Sequence, residues 1–179
     1  MNKIFTGVIC LTLLLSLVSC GTEKKVAEAE VATTEAKDVE RIGFATIEDL
    51  SKALVESLKK NDYSTYYAYV MSKDHEKALA SQITGKKERI RFEHEFDFSL
   101  REEQDYFNNM VNFLKTDSIN LDNANISESL VVDYEKNKYA PLNMKEVLIP
   151  VMKGENEIEL MYVTVQIDGK WYLTSELGI

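Results

Sequence analysis

Glu157-Ile-Glu-Leu-Met-Tyr-Val-Thr-Val-Gln-Ile-Asp-Gly-Lys-Trp-Tyr-Leu173 is the stretch whose reading decides the fold. Its apolar residues alternate, but the parity changes partway: Ile158 and Leu160 are even, while Met161, Val163, Val165 and Ile167 are odd. A strand buried on one face keeps one parity, so this pattern predicts one extra residue near Leu160, a β-bulge that bends the strand. Asp168-Gly169 then turns the chain. A two-residue turn sets Trp171 opposite Gln166 and Leu173 opposite Thr164. A three-residue loop of Ile167, Asp168 and Gly169 sets Trp171 opposite Val165 and Leu173 opposite Val163. Only the second register leaves one apolar face and one polar face (Tyr162, Thr164, Gln166, Tyr172, Thr174), and it is the one expected.

Upstream of this hairpin the same period of two continues. Ile126, Leu130, Val132 and Tyr134 share one parity, and Val147, Ile149 and Val151 share another, with Pro150 marking an edge or a bulge. Before residue 117 the period is helical. Thr46-Ile-Glu-Asp49 has capping-box spacing, and Ile47, Leu50, Leu54 and Leu58 follow at steps of three and four, predicting a helix over 47–60 that ends near Asn61. Tyr63 to Val70 continues as a second short helix. Ser72 caps a third, stopped by Gly85. Leu100, Phe107, Met110, Val111 and Leu114 define a further helical face.

Residues 86–99 carry two signals. Ile90, Phe92, His94, Phe96 and Phe98 alternate like a strand, whereas Arg89–Glu93 and Arg91–Glu95 are helical pairs and no Gly or Pro occurs from Lys86 to Ala140. Helix is the favoured reading, with a break near Ser99, which could itself cap Glu102. Helices first and antiparallel strands last give an α+β domain over residues 46–179, with the helices packed on one face of a bent sheet. The order of elements and the closing Asp168-Gly-Lys-Trp-Tyr-Leu173 resemble small bacterial lipoproteins of cystatin-like or nuclear-transport-factor-two-like fold. That cone-shaped fold hosts isomerases, dehydratases, ligand binders and interaction domains, so it does not by itself assign an activity.

The N-terminus speaks to location. Lys3 precedes an apolar run, Ile4 to Val18, in the layout of a secretory signal peptide rather than a membrane-spanning helix. The run ends on Leu17-Val-Ser-Cys20, which resembles the lipobox of bacterial lipoproteins. The resemblance implies cleavage after residue 19 and a Cys20 that carries a diacylglyceryl group and an N-acyl chain, anchoring the protein to a lipid bilayer. Gly21, in place of an Asp, favours an outer membrane. Residues 20–45, rich in Ala, Glu, Lys and Thr, read as a tether holding the domain on the order of 25–30 Å from the membrane.

Composition narrows the function classes. The chain has 21 basic and 30 acidic residues; without residues 1–19 it has 20 and 30, a formal charge of −10. This disfavours nucleic acid and an anionic membrane surface as partners. Both cysteines lie at or before position 20, so the domain has no thiol for a disulfide or a metal. There is no phosphate loop, nucleophile elbow or metal-ligand cluster, and no cofactor, metal or catalytic residue is assigned. Glu93-His94-Glu95 fits a solvated charged face, because on a helix His94 points about 100° away from Glu93.

For a ligand, the candidates are Tyr66 within the aromatic stripe Tyr63, Tyr66, Tyr67, Tyr69, Tyr106 and Phe107, together with Tyr162, Tyr172 and Asp133. Helical spacing favours core for the stripe, and alternation favours the solvated face for Asp133. The expected function is a non-catalytic envelope lipoprotein whose domain binds a small apolar ligand or another envelope protein. The alternative is a small cone-fold enzyme of isomerase or dehydratase type, with Asp133 as its carboxylate and Tyr162 or Tyr172 as its hydrogen-bond donor.

Overall fold

The structure is a computed structural model, and it describes residues 39–97, 100–134 and 138–179. The expected signal peptide, the expected acylation of Cys20, the expected tether up to residue 38 and the expected capping role of Ser99 lie outside the described residues. Five α-helices precede an antiparallel sheet among the described residues, so the chain is α+β. No helix among them is long and apolar enough to cross a membrane.

Helix α1, Ile47–Lys60, begins where the Thr46 hydroxyl accepts from the Asp49 N–H at 3.1 Å. It ends at Asn61, which takes the left-handed conformation at φ 53°. Glu48 and Asp49 in the first turn and Lys59 and Lys60 in the last complement the helix dipole. Helix α2, Tyr63–Tyr69, is capped by Asp62, and α3, Lys73–Gln82, by a reciprocal pair in which Ser72 and His75 each accept the other's backbone N–H. The ambiguous stretch is helical: α4 spans Lys86–Phe96, and α5 spans Leu100–Thr116. Its period-two apolar set does not make a strand, because Phe92 and Phe96, four apart, are the two residues that bury.

The sheet contains β1 (Ile119–Asn120), β2 (Leu130–Asp133), β3 (Met144–Lys153), β4 (Asn156–Ile167) and β5 (Lys170–Gly178). Its order is β1-β3-β4-β5, with β2 sharing the β3 edge with β1. β2 pairs with Lys145 to Leu148 and β1 with Met152 and Lys153. Pro150 falls in the interval between them. Its carbonyl accepts from the Asn125 N–H, so its missing N–H points toward the same interval, where no ladder bond is required. Ile126, expected in the strand with Leu130, lies instead in a short 3-10 turn.

Three expectations are corrected, and all three share a cause: the sheet is covered on both faces. There is no bulge at Leu160, since β4 runs in unbroken register against β3 from Met144↔Val165 to Lys153↔Asn156. Ile158, Leu160 and Tyr162 face the layer of α1, α2 and α5, while Val163 and Val165 face α3 and α4. The parity switch records which face is buried, half by half. Nor do the helices lie on one face: Leu50, Leu54, Phe107 and Val111 cover one side, and Leu79, Phe92 and Phe96 the other.

The turn is likewise the two-residue kind, with Ile167 opposite Lys170, Gln166 opposite Trp171 and Thr164 opposite Leu173. Asp168 at φ 51° and Gly169 at φ 78° supply the two left-handed residues that a type I′ turn requires. A register chosen to leave one face polar is unnecessary when both faces bury. The sheet's irregularity sits in β5, where Val163 alone faces the three residues Thr174 to Glu176, between the pairs Tyr162↔Leu177 and Thr164↔Leu173.

The free side of β5 is covered from the N-terminal segment and from the α2–α3 junction. Phe44 and Trp171 exchange backbone hydrogen bonds of 2.9 and 2.7 Å, and the Met71 N–H donates to the Leu173 carbonyl at 2.9 Å. The Ile42 N–H donates to the Ala68 carbonyl at 2.7 Å. Residues 42–44, assigned by composition to the tether, are thus bonded to the domain.

Candidate functional site

The most unusual group in the domain is an acid on the core face of α5. Glu103 falls in phase with Phe107, Met110, Val111 and Leu114, four and more residues on, and is only 7% exposed. Its Oε1 lies 3.4 Å from the Ser175 hydroxyl, and its Oε2 is buried with no hydrogen-bond partner. The widened segment of β5, Thr174 to Glu176, places Ser175 on the α5 side. In the same place the Tyr106 hydroxyl donates to the Leu177 carbonyl.

The surroundings of Glu103 are aromatic. The ring of Tyr66 is 4.8 Å from that of Phe107, and the ring of Tyr63 is 5.7 Å from it. Arg41 lies over Tyr67, with its guanidinium carbon 3.7 Å from the ring centroid. Burial raises the Glu103 pKa to about 7, with Glu76 adding to the rise and Arg41, Lys73 and the Ser175 hydroxyl opposing it. Burial and the nearby Glu103 carboxyl also raise Tyr63 and Tyr66, which stay protonated. Such a carboxyl exchanges a proton near neutrality and has one oxygen available for a further hydrogen bond.

A second feature lies at the other end of the same layer. The C-terminal ends of α1 and α5 and residues 119–122 line an open groove of about 250 Å³. Leu58, Val111, Leu114, Ile119 and Leu121 give it an apolar lining. Lys59, Lys115 and Asp122 also line it, and Lys59 is held at 2.6 Å by Asp122. Lys115 forms no ion pair among the described residues.

The opposite face carries a polar cluster. Glu95 of α4 accepts hydrogen bonds from Tyr134 at 2.6 Å, from Tyr139, and from Lys138 at 2.9 Å. Burial pushes its pKa up, but these three donors outweigh burial and hold it below the usual value. The Tyr134 hydroxyl also reaches Glu176 at 3.0 Å, tying α4 to β5. Glu93 and His94 are exposed, and no group of three acidic, His or Cys side chains among the described residues is arranged to hold a metal.

The residues expected from the sequence are placed apart. Tyr66 is buried against Phe107 in the α1–α2–α5 layer. Tyr162 is fully buried in that layer, its hydroxyl 2.7 Å from the Ser51 hydroxyl. Tyr172 faces the other layer, 4.8 Å ring to ring from His75. Asp133 is exposed on β2 and paired with Lys145. Tyr66 and Tyr162 share a layer; Tyr172 and Asp133 do not join them. Glu103 was missed because charged or polar neighbours surround it, although its phase with Phe107 was readable. No protein-family model, curated protein or solved structure matches the chain.

Proposed function

We propose that the chain is a lipid-anchored envelope protein, acylated at Cys20 and held on a tether, whose domain binds a small apolar ligand without transforming it. The Leu17-Val-Ser-Cys20 lipobox supports the anchor, and Gly21 supports an outer-membrane address. The groove between α1, α5 and β1 carries the binding reading. Its volume, about 250 Å³, is just below the roughly 300–1,000 Å³ of sites for drug-sized molecules, so the ligand is smaller than those. Its lining suits an apolar body, and Lys115 suits an acidic group on that body.

The test is native mass spectrometry of the protein drawn gently from the cell envelope. A Cys20 N-terminus bearing diacylglycerol, absent from Cys20→Ser, is the expected mark of the anchor. A discrete extra mass, reduced in Lys115→Ala at unchanged thermal stability, is the expected mark of the ligand. An unacylated, uncleaved chain would overturn the first part; a bare mass from both proteins would overturn the second.

Glu103 favours one second reading, a small enzyme of isomerase or dehydratase type. A buried carboxyl with a pKa of about 7 beside tyrosines is suited to general acid–base work. Loss of turnover in Glu103→Gln, with ligand mass retained, would select this reading over pure binding.

A further inference from the structure

We infer that the outward face of α4 rests on the anionic phospholipid surface to which the chain is tethered; this builds on the anchor proposed above. Phe92 and Phe96 fix the buried side of the helix. On a period of 3.6, Lys86, Lys87, Ile90, Arg91 and His94 then share the opposite arc. All five are exposed, and Ile90 is an apolar side chain left 53% exposed among cations. Lys86, Lys87, Arg89 and Arg91 form no ion pair among the described residues.

The acids of the same helix do not cancel this face. Glu95 is engaged by Tyr134, Tyr139 and Lys138, and the adjacent Asp97 by Lys73 at 2.8 Å. Glu88, which folds back over Gly85, and Glu93 remain charged, but on the helical period both fall outside the arc centred on Ile90 and His94. Lys86 and Lys87 also occupy the first turn of α4, where the helix dipole disfavours cations, so they do not serve the helix itself.

The net charge of −9 repels an anionic surface from the chain as a whole, and the α4 face is the local exception, a concentrated basic patch that selects an anionic partner. Lysines and arginines ringing one exposed apolar residue match a bilayer interface, where the charges meet phosphate groups and the apolar side chain enters the acyl boundary. Each basic residue near such a surface contributes about fivefold to partition.

The experiment is hydrogen exchange on the acylated full-length protein in vesicles, with flotation of the same samples. In vesicles with about one-third phosphatidylglycerol, the α4 amides are expected to exchange several-fold more slowly than in pure phosphatidylcholine. The slowing should vanish in about 0.5 M NaCl and in the triple variant Lys86→Glu, Lys87→Glu, Arg91→Glu, while α1 exchange stays constant. Equal exchange in the two kinds of vesicle would overturn the contact. Slowing that needs added envelope proteins would assign the face to an acidic protein and overturn it as well. Floated protein with unchanged α4 exchange removes the α4 contact alone; unfloated protein with unchanged exchange removes the anchor too.

Discussion

The carboxyl of Glu103 and the hydroxyl of Ser175 meet at 3.4 Å across the α5–β5 interface, and the second oxygen of that carboxyl is left without a partner. A buried polar atom in this state costs roughly 1–3 kcal/mol. The cost falls on the charged form most heavily, which is why burial raises this pKa.

The Glu103 pKa is about 7 in the folded domain against an ordinary value of 4.5. The folded state therefore holds the proton more tightly than the unfolded chain. Its contribution to stability is complete below pH 4.5 and is lost as pH rises through about 7. The change amounts to about 3 kcal/mol. Urea unfolding at a series of pH values should show this fall, and Glu103→Gln should flatten it. A variant as pH-dependent as the wild type would refute the assignment.

Ser51 and Tyr162 form a second buried pair. The Ser51 hydroxyl donates to the Ile47 carbonyl at 2.9 Å, leaving Tyr162 to donate to Ser51 at 2.7 Å. Tyr162→Phe should cost about 1 kcal/mol. Ser51→Ala should cost a similar amount, since Tyr162 keeps only the Ile47 carbonyl at 3.4 Å. The double variant should lose less than the sum, and a strictly additive cycle in chemical denaturation would show the hydroxyls to be uncoupled.

Gly43 is required by close approach. A Cβ there would lie 2.4 Å from the Tyr172 ring and 2.8 Å from the Lys170 Cβ. Gly43→Ala should destabilise by about 1–3 kcal/mol, and Tyr172→Leu in the same chain should recover part of the loss. Melting temperatures of the three proteins decide the matter.

β2 presents Leu130, Val131 and Val132, exposed at 54, 43 and 37%, and it pairs with β3 alone among the described residues. An apolar edge of this kind invites strand-to-strand association. Val131→Lys should leave stability within about 0.5 kcal/mol and reduce light scattering on heating. Unchanged scattering would place the association elsewhere.

Local chemistry was legible wherever one residue type settles one backbone choice. Thr46, Asn61, Ser72 and Gly169 mark their caps and turn in the sequence as they do in the structure. Sheet geometry was harder. Tyr162-Val163 and Tyr172-Leu173 are consecutive residues buried on opposite faces, and assuming a single core turned that double burial into a bulge and a shifted register. The charged surroundings of Glu103 hid its burial, while Tyr172 and Asp133 were grouped by residue type, which carries no information about which side of a sheet they take.

The bonds that join Ile42 to Ala68 and Phe44 to Trp171 have a mechanical meaning. Tension arriving along the chain from its N-terminal side meets α2 at Ala68 and the edge of the sheet at Trp171 before it reaches α1. The share that enters β5 is carried on by its ladder with β4, so the load divides between one helix and the sheet before α1 is pulled.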